Sequence, residues 1–507
     1  MPATIATLAA CTLVAIRRSE NIEANFRWFY SALTIAIAIL LLLVWFVFFT
    51  GLRWRTRFAV LGTLILLVFG ITNLVRYDGS ADGTAFPRMV WKWTPRRDGN
   101  VGDFKVNAGS PELPGLEPAA PVDYPAFLGR ERRGLVDGVE LERDWNAHPP
   151  QQLWRQPIGL GYSAFAVSGS SAVTQEQRRE KELIVCYALA TGRALWAHTN
   201  LVRFRENMGG DGPRATPTLA GGRVYALGAT GILDCLELSD GRLIWSRDIL
   251  KENHTSNLPF GKASSPLVFD DLVVVTGGHT NGPSLLACRS KDGSLAWHSG
   301  TNEVGYSSPT LVTLGGKRQV LVLNVGRLTA HEPADGHILW EYHWKEASKA
   351  LIASQPLVLD GERVVLSAGF GAGCVLLQIK SDGVDKFSVA EVWKNLNMKT
   401  HFSSVVARDG FAYGLDDGIL ACIDLATGKR QWKDGRYGRG QLLRVGDLLL
   451  VQAEPGPVML VEANPSEQRE VARLGALSSK TWNNPALAGR MLLVRNDREA
   501  VCYELPE

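Results

Sequence analysis

The feature that most constrains this chain is a recurring pair, a glycine followed four residues later by a tryptophan. It appears as Gly192-Arg-Ala-Leu-Trp196, Gly241-Arg-Leu-Ile-Trp245, Gly293-Ser-Leu-Ala-Trp297, Gly336-His-Ile-Leu-Trp340 and Gly428-Lys-Arg-Gln-Trp432. Trp154 and Trp393 keep the phase without the glycine, so successive tryptophans fall 39 to 53 residues apart. Repeats of this length made of short β-patterned pieces mean propeller blades rather than helical solenoid units. In one unit, 264–269, 272–276, 284–288 and 294–297 read as four strands joined by tight turns at Asp270-Asp271 and Lys291-Asp-Gly293. The turn glycine supplies positive φ, and the indole is a flat wedge against the neighbouring blade. Trp154, Trp196, Trp245, Trp297, Trp340, Trp393 and Trp432 are therefore expected to be structural docking residues.

Full units end at Trp196, Trp245, Trp297, Trp340, Trp393 and Trp432, and a seventh ends near Leu474 without a tryptophan. Only three strands follow, over 484–488, 491–495 and 500–504. The outer strand they lack is available at Gln152–Gln156, ahead of the first unit. An N-terminal strand completing the C-terminal blade closes the ring and leaves no open sheet edge at the seam. The fold class expected is all-β, an eight-bladed propeller of four-stranded antiparallel blades.

Cys422-Ile-Asp-Leu-Ala-Thr-Gly-Lys-Arg-Gln-Trp432 resembles the tryptophan-docking motif of the pyrroloquinoline-quinone-like, or quinoprotein-dehydrogenase-like, propeller family, with cysteine for the leading alanine. Cys186-Tyr-Ala-Leu-Ala-Thr-Gly-Arg-Ala-Leu-Trp196 matches with alanine in place of the aspartate. The resemblance covers about residues 125–507 and extends in fold to the outer-membrane assembly lipoproteins. It implies a fold rather than an activity. A working quinoprotein dehydrogenase would carry adjacent disulfide-bonded cysteines under the cofactor, calcium held by Glu, Asn and Asp, and a catalytic Asp. This chain has no adjacent cysteines: its seven stand at 11, 186, 235, 288, 374, 422 and 502. Most of them share one strand phase, which reads as a buried position wanting a small apolar side chain.

Ahead of the repeats, Phe29–Thr50 is almost wholly apolar and Phe58–Val75 carries no charge. Only Gly51-Leu-Arg-Trp-Arg-Thr-Arg57 separates them, so the pair reads as a transmembrane hairpin. Arg53, Arg55 and Arg57 favour a cytoplasmic loop and an outer, periplasmic propeller, although Arg17, Arg18 and Arg27 flank the first span similarly. If the apolar segment Ala3–Ile16 also crossed, the topology would invert. Leu8-Ala-Ala-Cys11 resembles a lipoprotein cleavage box without a basic start. The organisation expected is a tail over 1–28, two transmembrane helices within 29–77, a Pro/Gly-rich linker over 78–125 and the propeller over 126–507.

The inner strand of each blade starts beside the central channel, so the polar residues just before it are the natural ligand contacts. Arg214, Thr216, Lys262, Tyr306, His401, Lys480 and Trp482 form such a ring, with hydroxyls, cations and flat surfaces suited to a planar anion. The alternative is that small hydroxyl residues fit where eight strands converge and the charges sit in water at the mouth. No catalytic residue and no metal ligand is identified. A net charge of +3 over 507 residues gives no reason to expect nucleic acid. The function expected is a non-catalytic binding or scaffold module at the cytoplasmic membrane, with a protein partner on the propeller face and no cofactor. The alternative is a membrane-bound quinoprotein oxidoreductase with a divergent site, using pyrroloquinoline quinone with calcium.

Overall fold

The structure, a computed structural model, describes residues 1–19, 22–95, 101–102, 123–279, 282–383 and 386–507. The chain divides into two compact units, Met1–Arg96 with Asn207–Gly209, and Arg97–Glu206 with Gly210–Glu507.

The first unit holds helices α1 (Pro2–Arg18), α2 (Ala24–Phe49) and α3 (Trp54–Leu74). Both α2 and α3 are long and apolar enough to cross a membrane. The four residues between them turn the chain back on itself. Arg57, in the first turn of α3, donates from Nε to Leu52 O at 2.9 Å and through its Nη atoms to Val47 O and Thr50 O. It therefore satisfies carbonyls that the end of α2 leaves without intrahelical partners. Two expectations need correcting. Within the presumed tail 1–28, residues 2–18 are helical, because a run rich in Ala, Leu and Ile with proline in its first turn favours a helix. The presumed linker opens with an antiparallel hairpin, β1 (Val75–Ser80) against β2 (Pro87–Trp91), pairing Val75 with Trp91. Its proline-rich stretch, 110–121, lies outside the described residues.

The second unit is an eight-bladed ring of four-stranded antiparallel sheets. Blades 1 to 7 span 166–200, 218–248, 267–299, 310–343, 357–395, 406–436 and 441–474; blade 8 spans 486–504 and takes β5 (Gln151–Pro157) as its outer strand. β5 pairs antiparallel with Glu499–Glu504, setting Trp154 opposite Cys502. The seam between blades 8 and 1 is stitched by Arg495, whose buried guanidinium donates to Thr174 Oγ1 and Gln175 O, each at 2.8 Å, and to Gly159 O at 3.0 Å.

The repeat now has a physical cause. Each outer-strand tryptophan lies directly across from a third-strand residue: Cys186 faces Trp196, Cys235 faces Trp245, Ala287 faces Trp297, Ala330 faces Trp340 and Cys422 faces Trp432. In these five a small partner makes room for the indole, whereas in blade 5 the larger Leu376 faces Trp393. In blade 7 the roles invert, with Ala472 opposite Leu460. A register shift follows this pair in all eight blades, a bulge that turns the outer strand. Five of the seven indoles also lie on the turn glycine of the next blade, Trp154 on Gly192, Trp196 on Gly241, Trp245 on Gly293, Trp297 on Gly336 and Trp393 on Gly428. A Cβ on Gly241 would come within 2.4 Å of Trp196, and one on Gly336 within 2.4 Å of Trp297. The indole N–H then donates to the next blade: Trp154 to Leu189 O, Trp196 to Leu238 O, Trp245 to Ser290 O, Trp297 to Pro333 O, Trp393 to Leu425 O and Trp432 to Asn464 O. Trp340 differs. Blade 5 has no matching glycine turn, and the Trp340 N–H donates to Gln319 Oε1 of its own blade at 2.7 Å.

A strap of chain crosses the far end of the bore before the first blade begins. β3 (Asp123–Tyr124) adds to the first strand of blade 1, and β4 (Leu135–Val136) adds in parallel to the first strand of blade 7. Between them Pro125 O accepts from Leu219 N of blade 2 at 2.8 Å. Arg132, with φ of 56°, sends its guanidinium into the bore. There it donates to Ser265 O at 3.1 Å, Pro266 O, Pro309 O at 2.8 Å and Thr218 Oγ1 at 3.1 Å. These acceptors belong to blades 2, 3 and 4.

Candidate functional site

The starts of the inner strands gather at the opposite, mouth end of the bore, where two layers of side chains must be separated. The lower layer is a girdle that links each blade to the next. Ala164 N donates to Thr216 Oγ1 at 3.3 Å, Thr216 N to Ser265 Oγ at 2.9 Å and Ser265 N to Ser308 Oγ at 2.9 Å. Ser308 N then donates to Gln355 Oε1 at 3.2 Å and Gln355 N to Ser404 Oγ at 3.1 Å. Gln441 Nε2 spans blades 6 and 8 by donating to Phe402 O at 3.1 Å and Trp482 O at 2.8 Å. Asn483 Nδ2 returns to Ser163 O of blade 1 at 2.9 Å. These groups pair backbone that the narrowing of the ring would otherwise strand without partners.

Two expected ligand residues belong inside this framework and do not face the mouth. Thr216 is 2% exposed and engaged in the girdle on both sides. Lys262 is 1% exposed, and its ammonium donates to Thr276 O at 2.9 Å, Thr276 Oγ1 at 2.8 Å and Gly277 O. Burial pushes the Lys262 pKa down to about 7. A lysine tethered to its own blade by three acceptors is a packing element, which its position in the sequence repeat does not reveal.

Above the girdle, cations and rings alternate in an arc. The Arg214 guanidinium lies 5.0 Å from the Phe204 ring centre and 5.6 Å from that of Tyr162, and donates to Gly210 O and Gly212 O, each at 2.7 Å. Lys480 Nζ sits 5.7 Å from the Tyr162 ring and 4.1 Å from Trp482. Trp482 in turn lies 5.1 Å from Tyr162 and 5.2 Å from Phe402. His401 continues the arc, 4.8 Å from Phe370. The glycine at 369 admits it, since a Cβ there would come within 2.5 Å of the imidazole. Cations held on ring faces are stabilised by the ring quadrupole. Arg214, His401, Lys480 and Trp482 are thus brought together. Tyr306 packs against Phe260, whose N–H donates to the phenol oxygen at 3.3 Å, and lies near enough to Arg214 for their charges to interact, while burial raises its pKa. The side chains of Arg214 and His401 are far from solvated, at 11% and 1% exposure, so the picture of charges sitting in water does not hold for them.

Sequence reasoning missed the acidic half of the mouth. Asp417 Oδ1 lies 2.7 Å from Arg439 Nη2 and 3.6 Å from His401 Nε2. Glu454 accepts from Trp482 Nε1 at 2.7 Å and from Arg439 N at 3.0 Å. Arg439 precedes the first strand of blade 7 just as Arg214 precedes that of blade 2, so the repeat phase does mark it. Asp417 and Glu454 lie on hairpins between later strands, where the phase carries no such signal. These carboxylates face an arginine and an indole N–H rather than converging on a point where calcium could take six or more oxygens. The cysteines of the ring lie buried and unpaired on third strands of separate blades. Among the described residues, these carboxylates form no oxygen cage for calcium and the cysteines form no pair beneath a quinone.

The model of the outer membrane protein assembly factor BamB family matches residues 179–434 and 341–503. Among curated relatives, the outer membrane protein assembly factor BamB of Yersinia pestis is 21% identical over 397 residues, covering 73% of this chain and 92% of that protein. Among solved structures, BamB from Moraxella catarrhalis is similar with a TM-score of 0.50 at 14% identity, over 70% of this chain and 98% of that one. Quinohemoprotein alcohol dehydrogenase from Comamonas testosteroni shares the fold, with a TM-score of 0.54 at 10% identity over 76% of this chain and 82% of that one. With the docked indoles, the closing strand and a family match over more than half its length, the chain belongs to the BamB family of pyrroloquinoline-quinone-like β-propellers.

Proposed function

We propose that this protein is a non-catalytic scaffold in outer-membrane protein assembly, held at the cytoplasmic membrane by α2 and α3 with its propeller in the periplasm. The mouth arc is its docking site for a protein partner or an anionic ligand. The observation that carries this reading is the arc itself: Arg214 and Lys480 are held on aromatic faces, while the nearby carboxylates are engaged by Arg439 and Trp482. Such a surface offers charge and flat area for recognition, and among the described residues it shows no activated nucleophile or oxygen cage. The names of the relatives support the assembly role, and the lengths of the two apolar helices support the anchor.

The test has three arms. In cells depleted of the protein, outer-membrane protein levels should fall, and the wild-type chain should restore them while a Lys480→Glu, Trp482→Ala variant should not. Protease should digest the propeller in spheroplasts and spare it in intact cells. Purified protein mixed with pyrroloquinoline quinone and calcium should show no bound-quinone absorption band. Unchanged outer-membrane protein levels on depletion would remove the assembly role, and a bound-quinone band would revive the oxidoreductase alternative.

A further inference from the structure

At the far end of the bore, away from the mouth, a groove of about 570 Å³ opens between the strap and blades 3 to 5. The chain shows what the bore edges of its inner strands accept. β3 pairs antiparallel with Ala166–Ser168 and β4 pairs parallel with Gln441–Val445, so short strands add there in both directions. The groove lies along two further inner strands, Thr310–Leu314 and Leu357–Asp360, each the first strand of its sheet. Among the described residues no strand pairs with their bore side. The two differ in one respect. Leu357–Asp360 has a register shift between Val358 and Asp360, a bulge of the kind that discourages addition, whereas Thr310–Leu314 pairs regularly along all five residues.

The charge of the groove favours an acidic occupant. Its rim carries Arg130, Arg133 and Arg318, whose side chains are 70%, 39% and 53% exposed. Their ion pairs with Asp123, Glu131 and Asp270 are surface pairs that exchange at little cost. At the inner end Arg132 donates only to neutral carbonyls and a hydroxyl, so its buried cation has no carboxylate partner among those bonds. Of the carboxylates lining the groove, Asp360 is held by Arg363 at 2.7 Å and Glu131 by Arg133 at 3.1 Å.

We propose that this groove takes a short, extended, acidic segment of a partner protein, which pairs as an added strand with the bore edge of Thr310–Leu314 and sets its carboxylates against the strap arginines. Strand addition supplies affinity through main-chain bonds, and the arginines select the sign of the charge. The site is separate from the mouth.

The test uses full-length protein in detergent and three fluorescein-labelled hexapeptides: alternating Glu-Val, alternating Lys-Val and alternating Glu-Pro. The Glu-Val peptide should bind at least ten-fold more tightly than the other two. Its binding should weaken at least ten-fold in Arg133→Glu, Arg318→Glu protein of unchanged melting temperature, and stay as in the wild type in Lys480→Ala. If the double reversal does not fold, Arg318→Ala takes its place, with a loss of at least three-fold expected. Equal binding of Glu-Pro would mean charge alone without strand pairing and would overturn the proposal, as would equal binding of Lys-Val. A double reversal that instead converts a dimer to a monomer in sedimentation would assign the groove to a second copy of this chain, and likewise overturn it.

Discussion

The two ends of the bore are built from the same kinds of side chain to opposite ends. At the far end the Arg132 guanidinium is buried among carbonyls of several blades, and the loss of water pushes its pKa down to about 9. At the mouth Arg214 and Lys480 rest on ring faces, with Asp417 and Glu454 close by. An arginine that ties neutral carbonyls of separate blades closes a ring. Cations spread over aromatic faces form a surface, because ring faces hold charge without consuming all its hydrogen-bond donors. Closure and recognition are thus separated along one axis, and that separation can be attacked from either end.

The largest effect should come from removing residues 126–157, which takes away most of the strap and the closing strand together. Blade 8 would lose the partner of Glu499–Glu504, and the bore would lose Arg132. No cooperative unfolding transition should remain by calorimetry, whereas an equal deletion before residue 123 should leave one. Next comes Arg132→Met, which keeps the bulk and removes the donors. Each buried acceptor left unpaired costs roughly 1–3 kcal/mol, partly offset by relief of a desolvated charge, so a loss of about 3 kcal/mol is expected in urea unfolding. A loss below about 1 kcal/mol would mean that β3 and β4 close the far end without it.

A pH-dependent effect of similar size should come from Lys262. Its folded pKa, near 7, lies below the ordinary lysine value of about 10.4. Between those values the unfolded chain binds the extra proton, so this group makes the protein more stable as pH rises from 7 to 10, and contributes no slope below 7. Lys262→Met should remove that slope, leaving the variant more stable than the wild type by about 3 kcal/mol more at pH 7 than at pH 10. A difference independent of pH would show that the three acceptors around Nζ keep the ammonium charged throughout.

How much of this was readable in the sequence depends on which physical signal each residue carries. Blade count, strand order and the closing strand were legible because most blades repeat one volume problem, an indole across from a small residue and on top of the next glycine. One of the exceptions is written there too, since Ala472 stands where the tryptophan would be, opposite Leu460. The mouth was half legible. Arg214, His401 and Lys480 share a repeat phase, but so do Thr216 and Lys262, which turn inward, and phase says where a side chain begins rather than which way it points. Asp417 and Glu454 come from hairpins that no repeat marks. The strap was not legible at all, since β3 and β4 are two residues each and read as loop.

The smallest expected change in stability is also the sharpest test of the separation. Lys480 is half-buried, and its ammonium rests on the faces of Tyr162 and Trp482. Exposed cation–π contacts are worth about 0.5–1 kcal/mol, so Lys480→Ala should lower stability by no more than about 1 kcal/mol. Trp482→Ala should cost more, because it removes the ring between Tyr162 and Phe402 and leaves Glu454 without the indole donor. If the arc recognises its ligand as one surface, the two substitutions should be non-additive in binding, the double variant losing little beyond Trp482→Ala alone, since Lys480 loses the nearer of its two ring faces once the indole is gone. The measurement is a double-mutant cycle in partner pull-down, run beside melting curves of the same four proteins. Additive losses in binding would mean that cation and ring act separately. A Lys480→Ala protein that melts far below the wild type would mean that the mouth, too, is part of the closure.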